Sequence, residues 1–310
     1  MKKKIIFFGT PEFAVASLKA LVEGGFDIVA VVTMPDKPGR RGSELQPSAI
    51  KEYALSQKLL VLQPEKLKDP IFLYGLGELN ADLFVVVAFR MLPEVVWNMP
   101  PLGTINLHGS LLPQYRGAAP INWAIINGEA FTGVTTFKLK HEIDTGDILL
   151  QESIPIFPED TVGIVHDKMM GIGALLLVKT VTGIFDGTLK EIPQSDISNS
   201  EMDVLFKHAP KIFKPDTEII WNQTNTQIHN FIRGLSPYPA AFTKIGDTTI
   251  KVFSSEKVYG EELAKPGEFK TDVSTYLKLC TTDGWISIKE LQPENKRRMD
   301  IKSFLNGRKL

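Results

Sequence analysis

An asparagine and a histidine stand two residues apart in the run Thr104-Ile105-Asn106-Leu107-His108-Gly109-Ser110-Leu111-Leu112-Pro113. Side chains alternate between the two faces of an extended strand, so this spacing presents an amide and an imidazole on one face. Further along, Ile143-Asp144-Thr145-Gly146-Asp147 offers a carboxylate from a polar segment. An amide N–H can stabilise an oxyanion, and an imidazole with a carboxylate can manage protons. The three groups together suit acyl transfer to an amine. His108 alone reads as a core histidine and Asp144 alone as a turn residue. The pairing of the two segments carries the functional reading.

Such a set needs a sheet to carry it. Residues 4–8, 28–33, 82–88 and 104–107 read as short apolar strands, and residues 12–23 and 48–57 as helices between them. Strands alternating with helices imply βαβ units and a parallel sheet with right-handed crossovers, whose function sits at strand C-terminal ends. Residues 120–127 and 162–185 read as helices. From Gly187 the chain turns polar, with Pro193, Ser195, Ser198 and Ser200, a linker signature. Beyond it come one helix at 227–233 and β-like runs at 249–253, 277–281 and 285–288. The expected organisation is an α/β N-terminal domain with a Rossmann-like parallel sheet (1–186), a linker (187–205) and a small C-terminal β-barrel domain of OB type (206–310).

A length of 310 residues is enough for two cores, and a chain 43% apolar and 23% charged reads as soluble and globular. Cys280 is the only cysteine, which excludes an internal disulfide and a Cys-rich zinc site and suggests a cytoplasmic protein. The apolar run after Met1-Lys2-Lys3-Lys4 is too short for a signal peptide. No window is expected to approach a membrane span. The net charge of −1 is unevenly spread: residues 1–205 carry 18 Lys/Arg and 24 Asp/Glu, residues 206–310 carry 17 and 12. A basic C-terminal region suggests an anionic partner.

Several chemistries drop out. Gly9-Thr10-Pro11-Glu12-Phe13 follows the first strand but lacks the second and third glycines of a dinucleotide fingerprint, which weighs against a nicotinamide dehydrogenase. The chain has no G-x-S-x-G and no H-E-x-x-H, so neither a serine hydrolase elbow nor a zinc site is indicated, and no metal is expected. Pro35-Asp36-Lys37-Pro38-Gly39-Arg40-Arg41-Gly42 reads either as a solvated loop or as a basic finger for phosphates. Lys207, Lys211 and Lys214 and the basic residues from Lys296 onward form an unspecific footprint for nucleic acid.

Nearly the whole chain resembles the methionyl-tRNA formyltransferases, within the folate-dependent formyltransferases. The residues concerned are Phe8-Gly9-Thr10-Pro11-Glu12-Phe13-Ala14, the Pro35-Asp36 loop, Asn106 to Pro113, Tyr115-Arg116-Gly117-Ala118-Ala119-Pro120-Ile121 and Asp144-Thr145-Gly146-Asp147. In the C-terminal part they are Ile219-Ile220-Trp221 and Ile232-Arg233-Gly234-Leu235-Ser236-Pro237-Tyr238-Pro239. The resemblance implies Asn106, His108 and Asp144 as the catalytic set. It implies a folate pocket lined by Ala88, Phe89, Arg90, Met91, Ser110, Leu111, Leu112 and Pro113, with 10-formyltetrahydrofolate as co-substrate. It also implies initiator methionyl-tRNA as partner, met by Arg40 or Arg41 of the loop and by Lys211 and Lys214. A monomer without membrane association would suffice. Two places depart from the family: Phe89-Arg90 stands where Ala-Tyr-Gly is usual, and Pro38-Gly39-Arg40-Arg41-Gly42 where Pro-Ala-Gly-Arg-Gly is usual. The alternatives are a formyltransferase acting on an amino sugar-nucleotide, which would share the triplet, and a non-catalytic RNA-binding protein, which would leave it without a purpose.

Overall fold

Five β-rich segments of this chain are short runs of Ile, Val, Phe and Leu that only a sheet covered on both faces can bury. In the computed structural model, which describes residues 2–38, 45–198 and 206–306, they form that sheet. The chain divides into two units: residues 1–116, 133–154 and 167–207 in the first, and 117–132, 155–166 and 208–310 in the second.

The first unit is built on a seven-stranded sheet, in the order Ile148–Pro155, Phe131–Lys138, Thr104–His108, Leu83–Val87, Lys4–Gly9, Asp27–Val32, Val61–Leu62. The five strands from Thr104–His108 to Val61–Leu62 are parallel, and Phe131–Lys138 pairs antiparallel with Thr104–His108. Sequence reading anticipated the parallel strands and missed the antiparallel extension. From Lys4–Gly9 the chain works out to one edge and then returns to place Leu83–Val87 on the other side. Such a reversal marks the place, at the C-terminal ends of these neighbours, where α/β sheets bind ligands. Ile6, Phe8, Ala30, Val32, Phe84 and Val86 fill the core on one face.

One helix, Val162–Asp186, is long and apolar enough to cross a membrane, which corrects the expectation that no window would be. Its apolarity has a packing cause. Met169, Leu177 and Val181 are buried, and a Cβ at Gly173 would stand 2.9 Å from Leu107 Cδ2. Within the first unit the helix therefore presses on the face of Thr104–His108 opposite to Asn106 and His108.

The second unit holds a six-stranded antiparallel sheet curled into a half-barrel: Ala241–Ile245, Thr248–Val258, Trp285–Pro293, Leu277–Cys280 and Phe269–Thr271, with Met299–Asp300 on Trp285–Pro293. Thr224 opens the helix Asn225–Leu235 with a reciprocal cap to Gln227. Its Ile228, Ile232 and Leu235 then bury against Ile250, Val252, Ile286 and Ile288. The helix Pro120–Ile126 joins it, Asn122 Nδ2 donating to the Gly234 carbonyl at 2.8 Å.

Candidate functional site

Thr104–His108 lies between Leu83–Val87 and Phe131–Lys138, with Asn106 opposite Val86 and Phe137 and His108 opposite Thr135. Asn106 is half-buried and His108 is 6% exposed. The sequence-derived alternation holds, and both polar groups face away from the long helix. His108 Nε2 is 2.9 Å from the Tyr115 carbonyl oxygen, and its Nδ1 is 3.8 Å from Asp144 Oδ2. Phe137 meets the imidazole edge-on, centroids 6.4 Å apart. The imidazole, the carboxylate and the amide strand thus share one region of the first unit, as the pattern suggested.

Asp144 is carried by a turn that glycine makes feasible. A Cβ at Gly146 would lie 1.6 Å from the Lys138 carbonyl oxygen, so no side chain fits there. Asp144 itself takes φ +55°, a left-handed conformation uncommon outside glycine that aspartate tolerates better than most residues. Thr145 Oγ1 donates to the Glu142 carbonyl at 3.0 Å, and Lys140 Nζ lies 2.7 Å from Asp147 Oδ1. The Asp144 side chain is only 12% exposed.

The segment Ser110-Leu111-Leu112-Pro113 is shaped from behind by residues that sequence reading missed. Thr135 Oγ1 donates to the Ser110 carbonyl at 2.6 Å and accepts from Leu112 N at 3.1 Å and Gln151 Nε2 at 2.9 Å. One donor and two acceptors are all a hydroxyl has, so Thr135 is saturated. Gln151 Nε2 also donates to the Leu112 carbonyl at 2.9 Å. Ser110 is wholly buried and its hydroxyl donates to the Gln114 carbonyl at 2.6 Å, so its side chain serves the turn. Leu111 is half-buried, Leu112 and Pro113 are buried, and the peptide between these last two is cis. The only sequence signal for Thr135 is a polar side chain within an otherwise packed strand, and Gln151, on a half-exposed strand, has none.

The residues 88–91 follow Leu83–Val87 at its C-terminal end. Ala88 is exposed with φ +47°, and Met91 is 76% exposed. Phe89 packs its edge on Phe8 at 5.8 Å. Arg90 turns back, donating from Nη1 to the Glu65 carbonyl at 2.9 Å and from Nη2 to that of Pro64, with its guanidinium over the Phe89 ring. Burial lowers the pKa of this guanidinium below the usual arginine range. Arg90 thus ties two loops of the first unit together.

Arg40 and Arg41 lie outside the described residues. The base of their loop is visible: Lys37–Pro38 pairs antiparallel with Leu45–Gln46. Asp36 beneath it is held below the usual carboxylate range, chiefly by its hydrogen bond with Lys51 and then by that with Gln63. Lys211 and Lys214 are exposed on the second unit, with Lys211 Nζ 5.1 Å from the centre of the Phe213 ring. Among the described residues no cluster of His, Cys, Asp and Glu could hold a metal ion.

Family models match both the N-terminal and the C-terminal part of the chain. A family model described as formyl transferase matches residues 3–181, and one described as formyl transferase, C-terminal domain, matches residues 211–309. The methionyl-tRNA formyltransferase of Parabacteroides distasonis is 54% identical over 316 residues, covering 99% of this chain and 97% of that one. That of Phocaeicola vulgatus is 55% identical over 316 residues, with the same coverage of 99% and 97%. Among solved structures, a sugar 3N-formyl transferase with dTDP and 5-N-formyl-THF superposes with a TM-score of 0.67 at 22% identity, covering 96% of this chain and 100% of that one. An N-formyltransferase from Helicobacter canadensis, in complex with folinic acid and dTDP-3-aminofucose, gives a TM-score of 0.65 at 23% identity, with coverage of 96% and 100%. At these identities the structures share the fold.

Proposed function

The chain belongs to the formyl transferase family, and from that membership we propose that it formylates methionyl-initiator-tRNA. The formyl donor is 10-formyltetrahydrofolate, and the acceptor is the free α-amine of the esterified methionine. The observation that carries the assignment to a site is His108, held by the Tyr115 carbonyl on one side, facing Asp144 on the other and sharing its strand face with Asn106. The protein would act in the cytoplasm, as a monomer without a membrane, binding tRNA through phosphates met by Lys211, Lys214 and the loop that carries Arg40 and Arg41.

The amine needs little activation. An α-amino group titrates near 8 in ordinary settings, and an adjacent ester lowers that further, so a neutral fraction is present at pH 7. It attacks the formyl carbon, a C–N bond forms and the carbonyl oxygen gains charge that the Asn106 amide stabilises. As the bond from that carbon to N10 breaks, one proton leaves the incoming amine and one reaches N10. His108 is placed to carry it, with Asp144 orienting the imidazole. No metal enters these steps.

The test is to incubate the protein with 10-formyltetrahydrofolate and either methionyl-initiator-tRNA or an amino sugar-nucleotide, and to measure the formylated amine. Formyl-methionine from the tRNA alone is the expected result. Formylation of the sugar alone would keep the site and overturn the substrate.

A further inference from the structure

Gln194 lies in the polar stretch that reads as a linker, yet it is only 4% exposed. Backbone pairing of Ile192 with Ile148, at 2.8 and 2.9 Å, fixes its position, and a short helix, Gln194–Ser198, begins on it. Its Nε2 donates to the Asp144 carbonyl at 2.9 Å and to the Gly146 carbonyl at 2.8 Å. Its Oε1 accepts from Arg116 Nε at 3.0 Å and Nη2 at 2.5 Å. A guanidinium can only donate and a carbonyl can only accept, so the amide has one possible orientation. Resting on the reading of Asp144 as a catalytic group, we infer that Gln194 is a positioning residue for it. Gln194 holds the 144–146 backbone in the left-handed turn that aims the carboxylate at His108, with Arg116 as its anchor.

Just beyond that stretch, residues 206 and 207 are tied to the histidine's side of the site. Tyr115 N donates to the Lys207 carbonyl at 2.7 Å, Lys207 N donates to Gln114 Oε1 at 2.9 Å, and Arg116 lies over the Phe206 ring. Tyr115 is the residue whose carbonyl receives His108. Residues 192–194 and 206–207 are therefore fastened to segments that hold the His108–Asp144 pair, within the first unit.

The experiment is a cycle of Gln194→Leu and Asp144→Asn, read by single-turnover formyl transfer to methionyl-tRNA, with melting temperature as a folding control. Leucine keeps the volume and removes every hydrogen bond. Gln194→Leu should slow transfer by about tenfold to a hundredfold, the scale set by a displacement of order 1 Å, with apparent KM values nearly unchanged. Adding it to Asp144→Asn should cost nothing further, since groups acting as one unit are non-additive. Gln194→Glu keeps the Arg116 pair but turns a carboxylate onto the Asp144 and Gly146 carbonyls. It should be slow as well, and serves as the test if the leucine variant melts early. A near wild-type rate in either variant, or losses that add in the double variant, overturns the positioning role. An unimpaired Asp144→Asn overturns the underlying reading of the site instead.

Discussion

His108 Nε2 stands 2.9 Å from the Tyr115 carbonyl oxygen, and a carbonyl only accepts, so this nitrogen carries hydrogen. Nδ1 is left as the nitrogen that faces Asp144, 3.8 Å away. The backbone of one loop thus selects the ring's tautomer and leaves Nδ1 turned toward the carboxylate. His108→Ala should lower turnover by about 10²–10⁴, the usual worth of a general acid–base group. Asn106→Ala should lower it by about 10²–10³, as the loss of one oxyanion donor does. Both should retain folate binding, measured by direct titration beside single-turnover rates.

Thr135→Val keeps shape and deletes a hydroxyl that satisfies three buried or half-buried partners, the Ser110 carbonyl, Leu112 N and Gln151 Nε2. Each buried group left unpaired costs about 1–3 kcal/mol. Denaturant titration should show a loss of that order for the variant, and the apparent KM for the folate should rise. Thr135→Ser should stay near wild type in both measurements.

The strand that carries Asn106 and His108 was legible because its signal is local. A period of two on an apolar run fixes which side chains share a face, and Asn106 and His108 follow it. The parallel sheet was legible for the same reason. What escaped depends on distant pairing: Phe131–Lys138 and Ile148–Pro155 extend the sheet antiparallel with polar residues at intervals, so neither reads as a buried run. Gln194 escaped because polar composition is shared by linkers and by buried amides, and only the four partners around it separate the two.

His229 gives a pH prediction. It is 5% exposed, its Nδ1 lies 3.1 Å from Ser255 Oγ, and Glu159, Lys257 and Arg233 are the charged groups around it. Burial is the largest effect on it and lowers its pKa below the usual histidine value. The unfolded chain therefore binds the proton first, and stability falls as pH drops through the unfolded value near 6.5. Melting temperature should fall more between pH 7.5 and 5.5 in the wild-type protein than in His229→Gln. Equal falls would remove His229 as the cause.

The exposed lysines give a prediction about salt. If Lys211 and Lys214 each meet a phosphate, replacing one by Gln should lower the slope of log affinity against log salt by about 0.7–0.9. The change should be similar for initiator and elongator tRNA, because phosphate contacts carry no sequence information. Fluorescence titration between low and moderate salt measures both.

The division of the chain into units has a bearing on how such proteins can be taken apart or recombined. The chain passes from one unit to the other at 116/117, 132/133, 154/155, 166/167 and 207/208. A fragment starting at 206 would therefore lack 117–132 and 155–166, including the Asn122 amide that caps the Gly234 carbonyl and the Phe157 and Asp160 carbonyls that receive Arg233. Exchange of the C-terminal region between two relatives at a single breakpoint would likewise graft a half-barrel onto foreign supporting segments. The three pieces of the second unit thus depend on one another, and a viable chimera has to carry all of them.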